Sequence, residues 1–287
     1  MPEIIIRDMQ REDEYFVSTC SHVGESEEID ACGRRRLRLI RHLMGEGAVV
    51  KAALLDGKHV GFAHGIPIEH SSWGPDGEGL MTIPCLFVLP AAGRNGIGRT
   101  LMEAVENDAR RLGHVGMALT GFRDLPGAEW FMPAAFFEHI GYEGIDGRER
   151  SHLLWKPFSD DAVPPRFLKR CYAFTPIVGK VVVDLFYNEF CQTSGLEAQR
   201  VREVCAEFGD RVVLNESCAE DHHALLACGI SRAIYVNGAE IGWGYKAPKN
   251  NIRAAIRREL DGVEGKRLHG VSGENQGRFA ARREAQS

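Results

Sequence analysis

The stretch from Pro84 to Leu112 restricts what this 287-residue chain can fold into more than any other. Pro84-Cys85-Leu86-Phe87-Val88-Leu89-Pro90 is an apolar run of the length expected for a buried strand. A glycine-rich turn, Ala91 to Arg99, follows it, and then Leu101, Met102, Val105, Ala109 and Leu112 recur at helical spacing. Strand, glycine turn and helix together place unpaired backbone N–H groups at a helix start, where they can hold a phosphate. Gly96 and Gly98 let the main chain approach an anion closely, and Arg94 and Arg99 add positive charge beside them. The turn Arg94, Asn95, Gly96, Ile97, Gly98, Arg99 is therefore a candidate pyrophosphate cradle.

Two familiar phosphate loops are excluded by single positions. A P-loop ends in Gly-Lys-Ser/Thr, whereas Gly98 is followed by Arg99-Thr100. A dinucleotide fingerprint needs a third glycine where Leu101 stands. What remains resembles motif A of the GNAT N-acetyltransferase superfamily, in which a strand ends in Val-x-Pro and Arg/Gln-x-x-Gly-x-Gly/Ala follows. Val88-x-Pro90 and Gly96-x-Gly98 match in register, while Gly93 stands in the Arg/Gln slot with Arg94 beside it. Ala134 to Glu143 resembles a second signature of that superfamily, where an aromatic residue precedes a Gly-Phe/Tyr pair by four. Many members carry there a tyrosine that protonates the CoA thiolate; this chain has Phe137, which has no proton to give.

The resemblance covers residues 1 to about 158. It implies a mixed central sheet flanked by helices, with acetyl-CoA as co-substrate. It also implies a bulge on the strand around Pro84, which splays it from the next strand and admits pantetheine. The thioester carbonyl would then meet backbone N–H near Phe87 or Val88. Pro84, unable to donate to a ladder, fits that place, as it would fit an ordinary edge strand.

Around this centre the sequence predicts a strand at Ile4 to Ile6 and helices from Arg7 to His22 and from Glu27 to Met44. Ser26 stands as the second helix's cap, with Leu37, Ile40 and Met44 on its apolar face. Arg34, Arg35, Arg36, Arg38 and Arg41 read as a solvated basic face; the sharper alternative is a wall that steers an acidic substrate or the adenosine phosphates. Asp56-Gly57 turns a hairpin between Val49–Leu55 and His59–Pro67. A strand is expected at Val115 to Thr120, a helix from Trp130 to Ile140 closed by Gly141, and two final strands at Gly141–Ile145 and Ser151–Pro157.

Residues 159–179 read as a linker, 180–263 as a second α/β domain, and 264–287, poor in apolar side chains, as a mobile tail. The expected order of the second domain is βαβαββα, with Asn237-Gly238 turning its hairpin. That is the order of the thioredoxin fold, and the segment resembles the YoaP-type domain that follows some GNAT domains. The thioredoxin Cys-x-x-Cys is reduced here to Cys191-x-x-Ser194, and the cis-proline position reads Ser231-Arg232. Overall the fold class is α/β (α+β): a GNAT sheet followed by a smaller thioredoxin-like domain.

Net charge is −5, which gives no general attraction to nucleic acid or membrane, and no apolar run has the length of a membrane span. The charged N-terminus lacks a signal-peptide core, so a cytoplasmic location is expected. In that setting the eight cysteines are free thiols, ligands or redox groups rather than a disulfide framework.

Acetyl transfer to an amine needs a base. The candidates are Cys85, three residues before Val88, where some family members place a carboxylate; His139; and Glu69 with His70 at a strand end. Each has an ordinary alternative: a buried inert thiol, a surface histidine and a solvated loop pair. Cys191 precedes a predicted helix whose N-terminal dipole favours a thiolate, making it a redox candidate. Cys218, His222, His223 and Cys228 lie close in sequence, but no Cys-x-x-Cys accompanies them, and no metal site is expected. The sequence reads best as an acetyl-CoA-dependent N-acetyltransferase in which an amine, on a small molecule or peptide, attacks the thioester directly. A homodimer is compatible with this. The alternative is a non-catalytic acyl-CoA sensor carrying a thiol or partner-binding module.

Overall fold

The computed structural model describes residues 3–124, 131–242 and 246–262. The chain divides into two compact units. The first comprises residues 1–171, 187–196 and 218–232, and the second comprises 172–186, 197–217 and 233–287.

The first unit is built on a seven-stranded sheet of order β1-β2-β3-β4-β5-β7-β6. Its strands are β1 (Ile4–Asp8), β2 (Val49–Leu55), β3 (Lys58–Pro67), β4 (Leu80–Val88), β5 (Gly116–Phe122), β6 (Glu143–Arg148) and β7 (Ser151–Pro157). Every neighbouring pair in this sheet is antiparallel except β4 with β5. Helices α1 (Glu14–Ser18), α2 (Glu27–Gly45), α3 (Ile97–Arg111) and α4 (Ala134–His139) complete it, together with α6 (His222–Cys228) from the later chain. The sheet has two packed faces. On one, Leu101, Met102, Val105 and Ala109 of α3 bury against Ala63, Met81 and Ile83. On the other, Phe16, Val17, Ile40 and Leu43 of α1 and α2 bury against Val50, Phe62, Ile66 and Cys85.

The α3 face follows the sequence reading closely, and the α1–α2 face departs from it. Only Glu14–Ser18 of the expected helix Arg7–His22 is helical. Asp13, fully buried, accepts hydrogen bonds from Arg7 and the Gln10 amide, which turns the chain before the helix; Cys20 and Ser21 then take positive φ of 55° and 69°. Ser26 caps α2 as expected, its Oγ accepting from Ile29 N at 3.3 Å. The buried stripe of α2, however, is Ile29, Cys32, Gly33, Arg36, Ile40 and Leu43, while Met44 is exposed. Helix α4 begins at Ala134 rather than near Trp130, which lies outside the described residues. Pro133 precedes its first turn, and the residue before a proline is held out of helical geometry.

The second unit carries a four-stranded sheet of order β11-β10-β8-β9, from β8 (Val181–Tyr187), β9 (Val212–Cys218), β10 (Ala233–Val236) and β11 (Ala239–Glu240). Strand β10 runs antiparallel to both β8 and β11. Most of α5 (Gln192–Glu207) and a helix over 249–262, α7, belong to this unit. Val181, Val183, Leu185, Val201, Val204, Ile234, Ile252 and Ile256 are buried in it. Asn237 and Gly238 take φ of 49° and 81°, the left-handed pair that a tight hairpin requires. Strand β11 ends at Glu240; residues 243–245 and all of the 264–287 tail lie outside the described residues.

Candidate active site

The β4–α3 turn is open and its amides are unspent. Among the described residues no backbone N–H from Arg94 to Arg99 meets an acceptor, and the first that does is Thr100, on Gly96 O at 3.0 Å. No side chain caps α3, whose first turn carries no acidic residue. Gly96 is the N-cap at φ 75°, with nothing within 4 Å of a Cβ built on it. Gly98 is small for a different reason: a Cβ there would stand 3.3 Å from the Phe136 ring of α4. Arg94 and Arg99 are exposed beside the turn. Several free amides at the positive end of a 15-residue helix, with two guanidinium groups at hand, suit a diphosphate.

Beside the turn the sheet opens. Strands β4 and β5 pair only at Leu80–Gly116, Met81–Met117 and Thr82–Ala118, although both run on, to Val88 and Phe122. The parting begins at a bulge. The β3–β4 register passes from His64–Cys85 to Ile66–Thr82, so that Gly65 faces both Ile83 and Pro84. This is the interruption expected of Pro84.

Hydrogen-bond parity then decides which β4 amides face the gap. Leu89 N–H donates to Val60 O at 2.7 Å, and opposed residues alternate along an antiparallel pair. The amide of Phe87 is therefore turned to β3, while those of Leu86 and Val88 face the gap. Leu86 N–H is directed at Met132 Sδ, 3.3 Å away. Met132 is 2% exposed, sits at φ 45°, and has its carbonyl held by the Phe122 amide at 2.9 Å.

On the opposite face, Cys85 is buried in the cluster of Phe16, Phe62 and Phe190, with Cys20 packed against it. Burial and hydrogen bonding from Cys20 hold the Cys85 thiol well above its ordinary pKa, so it rests protonated; the hydrogen bond is the larger cause, and Arg36 opposes it. His64 is fully buried, and burial, aided by the Arg36 charge, pushes its pKa well down. The nearby Cys85 backbone works weakly the other way, but neither ring nitrogen is in hydrogen-bonding geometry with any partner. Cys85 and His64 are thus a neutral thiol beside a neutral imidazole, the reverse of an activated thiolate–imidazolium pair.

The other expected residues are dispersed. Glu69 is exposed, and its Oε1 accepts from Gly79 N at 2.7 Å at the paired end of β4. Nine residues of strand, roughly 25–30 Å at 3.3 Å per residue, separate that end from Val88. His139 is exposed on the last turn of α4, and Phe137 is fully buried against Phe136 and Tyr142. Cys191 stands immediately before α5 as read; its N–H donates to Asn188 Oδ1 at 2.8 Å, and its thiol lies 3.1 Å from Thr193 Oγ1. Cys218, His222, His223 and Cys228 do not converge: the His222 ring is engaged by Ser71 O at 3.0 Å, and the Cys228 thiol points to Ile230 O.

Arg36 is misplaced by the sequence reading, and His64 and Met132 go unnoticed in it. Arg36, 1% exposed, donates from Nε to Phe190 O and from Nη1 to Val17 O, each at 2.6 Å, so it is not part of a solvated face. Its only signal was the spacing from Ile29 and Cys32, hidden inside a basic run. His64 looked like one member of an apolar strand. Met132 follows the residues outside the described range and carries no motif.

Residues 9–142, a little under half of the chain, match the model of the acetyltransferase (GNAT) family. Similar solved structures include the PaiA N-acetyltransferase of Thermoplasma acidophilum in complex with coenzyme A, at 19% identity and TM-score 0.40, covering 54% of this chain and 99% of that one. A GNAT family acetyltransferase of Brucella melitensis in complex with acetyl-CoA shares 18% identity at TM-score 0.37, over 57% of this chain and 93% of that one. The ribosomal-protein-S18-alanine N-acetyltransferase of Escherichia coli shares 17% at 0.38, over 55% and 95%. No curated protein matches. No helix among the described residues is long and apolar enough to cross a membrane. The matched segment is thus similar to GNAT acetyltransferase domains over residues 9–142.

Proposed function

We propose that this domain moves an acetyl group from acetyl-CoA to a primary amine by direct attack on the thioester. The observation that carries the reading is the open turn 94–99, whose unbonded amides lie at the start of α3 and beside the parted edge of β4. The turn would hold the diphosphate, with Arg94 and Arg99 adding charge. Pantetheine would enter between β4 and β5. The Val88 amide, free towards the gap, would donate to the thioester oxygen where negative charge develops. A covalent acetyl-cysteine step is disfavoured, because the Cys85 thiol is held protonated and its neighbouring imidazole is kept neutral. Positioning an already activated thioester supplies much of the rate, so a buried Phe137 in place of a tyrosine acid is tolerable. The acceptor is an amine on a small molecule or peptide, and the protein works in the cytoplasm.

The second unit is proposed to be a thioredoxin-like module of the YoaP type spanning 180–263. Its strand order, with β8 between β9 and β10 and β11 at the edge, supports this. Two observations favour the sensor reading: the Leu86 amide is already engaged by Met132, and Phe137 has no proton to give. Titration with acetyl-CoA, followed by chromatography of released CoA over an amine panel, separates the two. Transfer expects saturable binding and amine-dependent CoA release; binding with no release on any amine leaves the sensor, and no binding removes both.

A further inference from the structure

The basic run of α2 sorts into arginines with partners and arginines without. Arg36 is buried on main-chain carbonyls, Arg41 pairs with Glu14 at 2.7 Å, and Arg35 stands 3.5 Å from Glu189. Arg34 and Arg38 have no ion-pair partner among the described residues. Arg38 differs from Arg34 in its place: it lines a cavity of about 240 Å³. Arg35 and Leu39 complete the α2 wall, and Tyr187, Glu189 and Glu220 face them from the later chain. All of these residues belong to the first unit. None lies on β4, on α3 or in the 94–99 turn, so the cavity is separate from the proposed cofactor site.

The walls are fixed without any ligand. Arg36 Nε donates to Phe190 O at 2.6 Å, and Ile29 and Cys32 of α2 bury together with Leu196. Tyr187 O accepts from Ala219 N at 2.8 Å, and the fully buried Asn188 donates from Nδ2 to Ser231 O at 2.9 Å. A cavity held in this way loses little order when it is filled. Its charges are also arranged for a particular kind of ligand. Arg35 and Glu189 offset each other. Arg38 and Glu220 remain, exposed and opposite in sign, each without an ion-pair partner among the described residues. We propose that this cavity binds a free α-amino acid with an apolar side chain, its carboxylate on Arg38, its ammonium on Glu220 and its side chain beside Leu39.

The mixed charge decides against simpler ligands. A phosphate or a dicarboxylate would meet Glu189 and Glu220 as well as the arginines, and a polyamine would meet Arg35 and Arg38. A zwitterion satisfies both unpaired groups and keeps the lining neutral. Size points the same way, because about 240 Å³ lies below the roughly 300–1,000 Å³ of sites for drug-sized molecules. The guanidinium fork of Arg38 suits a carboxylate held by two parallel hydrogen bonds. A ligand bound in this way joins α2 to the chain after β9, so it stabilises the folded protein in proportion to its concentration. The assignment goes beyond acetyl transfer and does not depend on it.

The test is titration calorimetry of the full-length chain with L-leucine, in the absence of acetyl-CoA. Saturable binding with a Kd of roughly 0.1–1 mM is expected, since two part-exposed ion pairs and one apolar contact give modest affinity. Leucinamide lacks the carboxylate and N-acetyl-leucine lacks the ammonium; each should bind at least about tenfold more weakly. Arg38→Gln and Glu220→Gln should each weaken L-leucine binding by about tenfold or more while circular dichroism stays native. Both side chains are exposed, so both variants are expected to fold. Arg34→Gln, at an exposed arginine of the same helix outside the cavity, should change nothing. Undiminished binding in Arg38→Gln or in Glu220→Gln overturns the assignment, because the amino acid then sits elsewhere. So does equal affinity for leucinamide, and so does the absence of binding by L-leucine, L-methionine and L-phenylalanine up to about 10 mM.

Discussion

The two faces of the seven-stranded sheet do their work with different parts of the chain. On the α3 face the working atoms are backbone amides: those of residues 94–99 at the helix start and those of Leu86 and Val88 along the gap. On the α1–α2 face they are side chains, Arg36, His64, Cys20 and Cys85, gathered around Phe190. A backbone site needs glycines where the chain must bend or come close, and those glycines fall within a few residues of one another. A side-chain cluster can draw on the whole chain; the Arg36–Phe190 hydrogen bond joins residues 154 apart. The first kind of site should tolerate damage to packing and fail on a single backbone change. The second should do the reverse.

The largest effect is expected from Arg36→Ala. Three buried carbonyls lose charged donors, and a cavity opens under Phe190. Losing such bonds at about 1.5–3 kcal/mol each, offset by relief of the buried charge, leaves a cost of about 3–4 kcal/mol. Tm should fall by roughly 6–12 °C in calorimetry, with the acetyl-CoA Kd within twofold of wild type. An unchanged Tm would show that the α1–α2 face does not depend on this tie. Next comes Gly96→Val. A β-branched residue is strained at φ 75°, and restoring an ordinary φ turns the amides away from the cradle. A loss of about 2–3 kcal/mol, roughly 30- to 150-fold in acetyl-CoA affinity by titration calorimetry, is expected, with Tm shifted by only a few degrees. Intact affinity would falsify the cradle.

This contrast also explains what the sequence disclosed. Val88-x-Pro90 and Gly96-x-Gly98 revealed strand, turn and helix because the demands there are local, and Pro84 marked the bulge because a missing N–H is a local fact. The α2 stripe was misread because Arg36 is a charged residue placed on a buried face, and hydropathy assigns charge to water. Glu69 is a candidate base in sequence from its place at a strand end. Only the pairing register shows that this end lies where β4 and β5 are still joined. Cys85 was visible, but its company was not: Cys20 and His64 reach it through the turn after α1 and the β3–β4 register.

A thiol buried alone offers a control for the clustered ones. Cys205, on α5, is pushed to about 12 by burial and, to a smaller degree, by Glu216. A raised folded-state pKa gives stability that is complete below the unfolded value near 9 and lost as pH rises towards the folded value. At pH 10 the unfolded thiol is mostly ionised and the folded one is not, a difference of about 1.4 kcal/mol. Denaturant titrations at pH 8 and pH 10 should show Cys205→Ala losing about that much less stability over the interval than wild type. Equal losses would mean the thiol is solvated in the native state.

The smallest effect falls where the two kinds of site meet, at Met132. Its side chain reaches a backbone amide on β4, so a side chain occupies a place that the α3-face site keeps for a ligand. A thioether sulfur is a weak acceptor, and an amide carbonyl of pantetheine would be a better one for Leu86 N–H. Met132→Leu keeps the volume and removes the acceptor, so the cofactor no longer displaces a hydrogen bond when it enters. The KM for acetyl-CoA should drop two- to fivefold, about 0.5–1 kcal/mol, with kcat little changed. A rise in KM would assign Met132 the opposite part, as a wall that the pantetheine arm packs against. The gap would then be lined by side-chain packing as well as by main-chain donors, and the division between the two faces would be less sharp than the hydrogen bonds suggest.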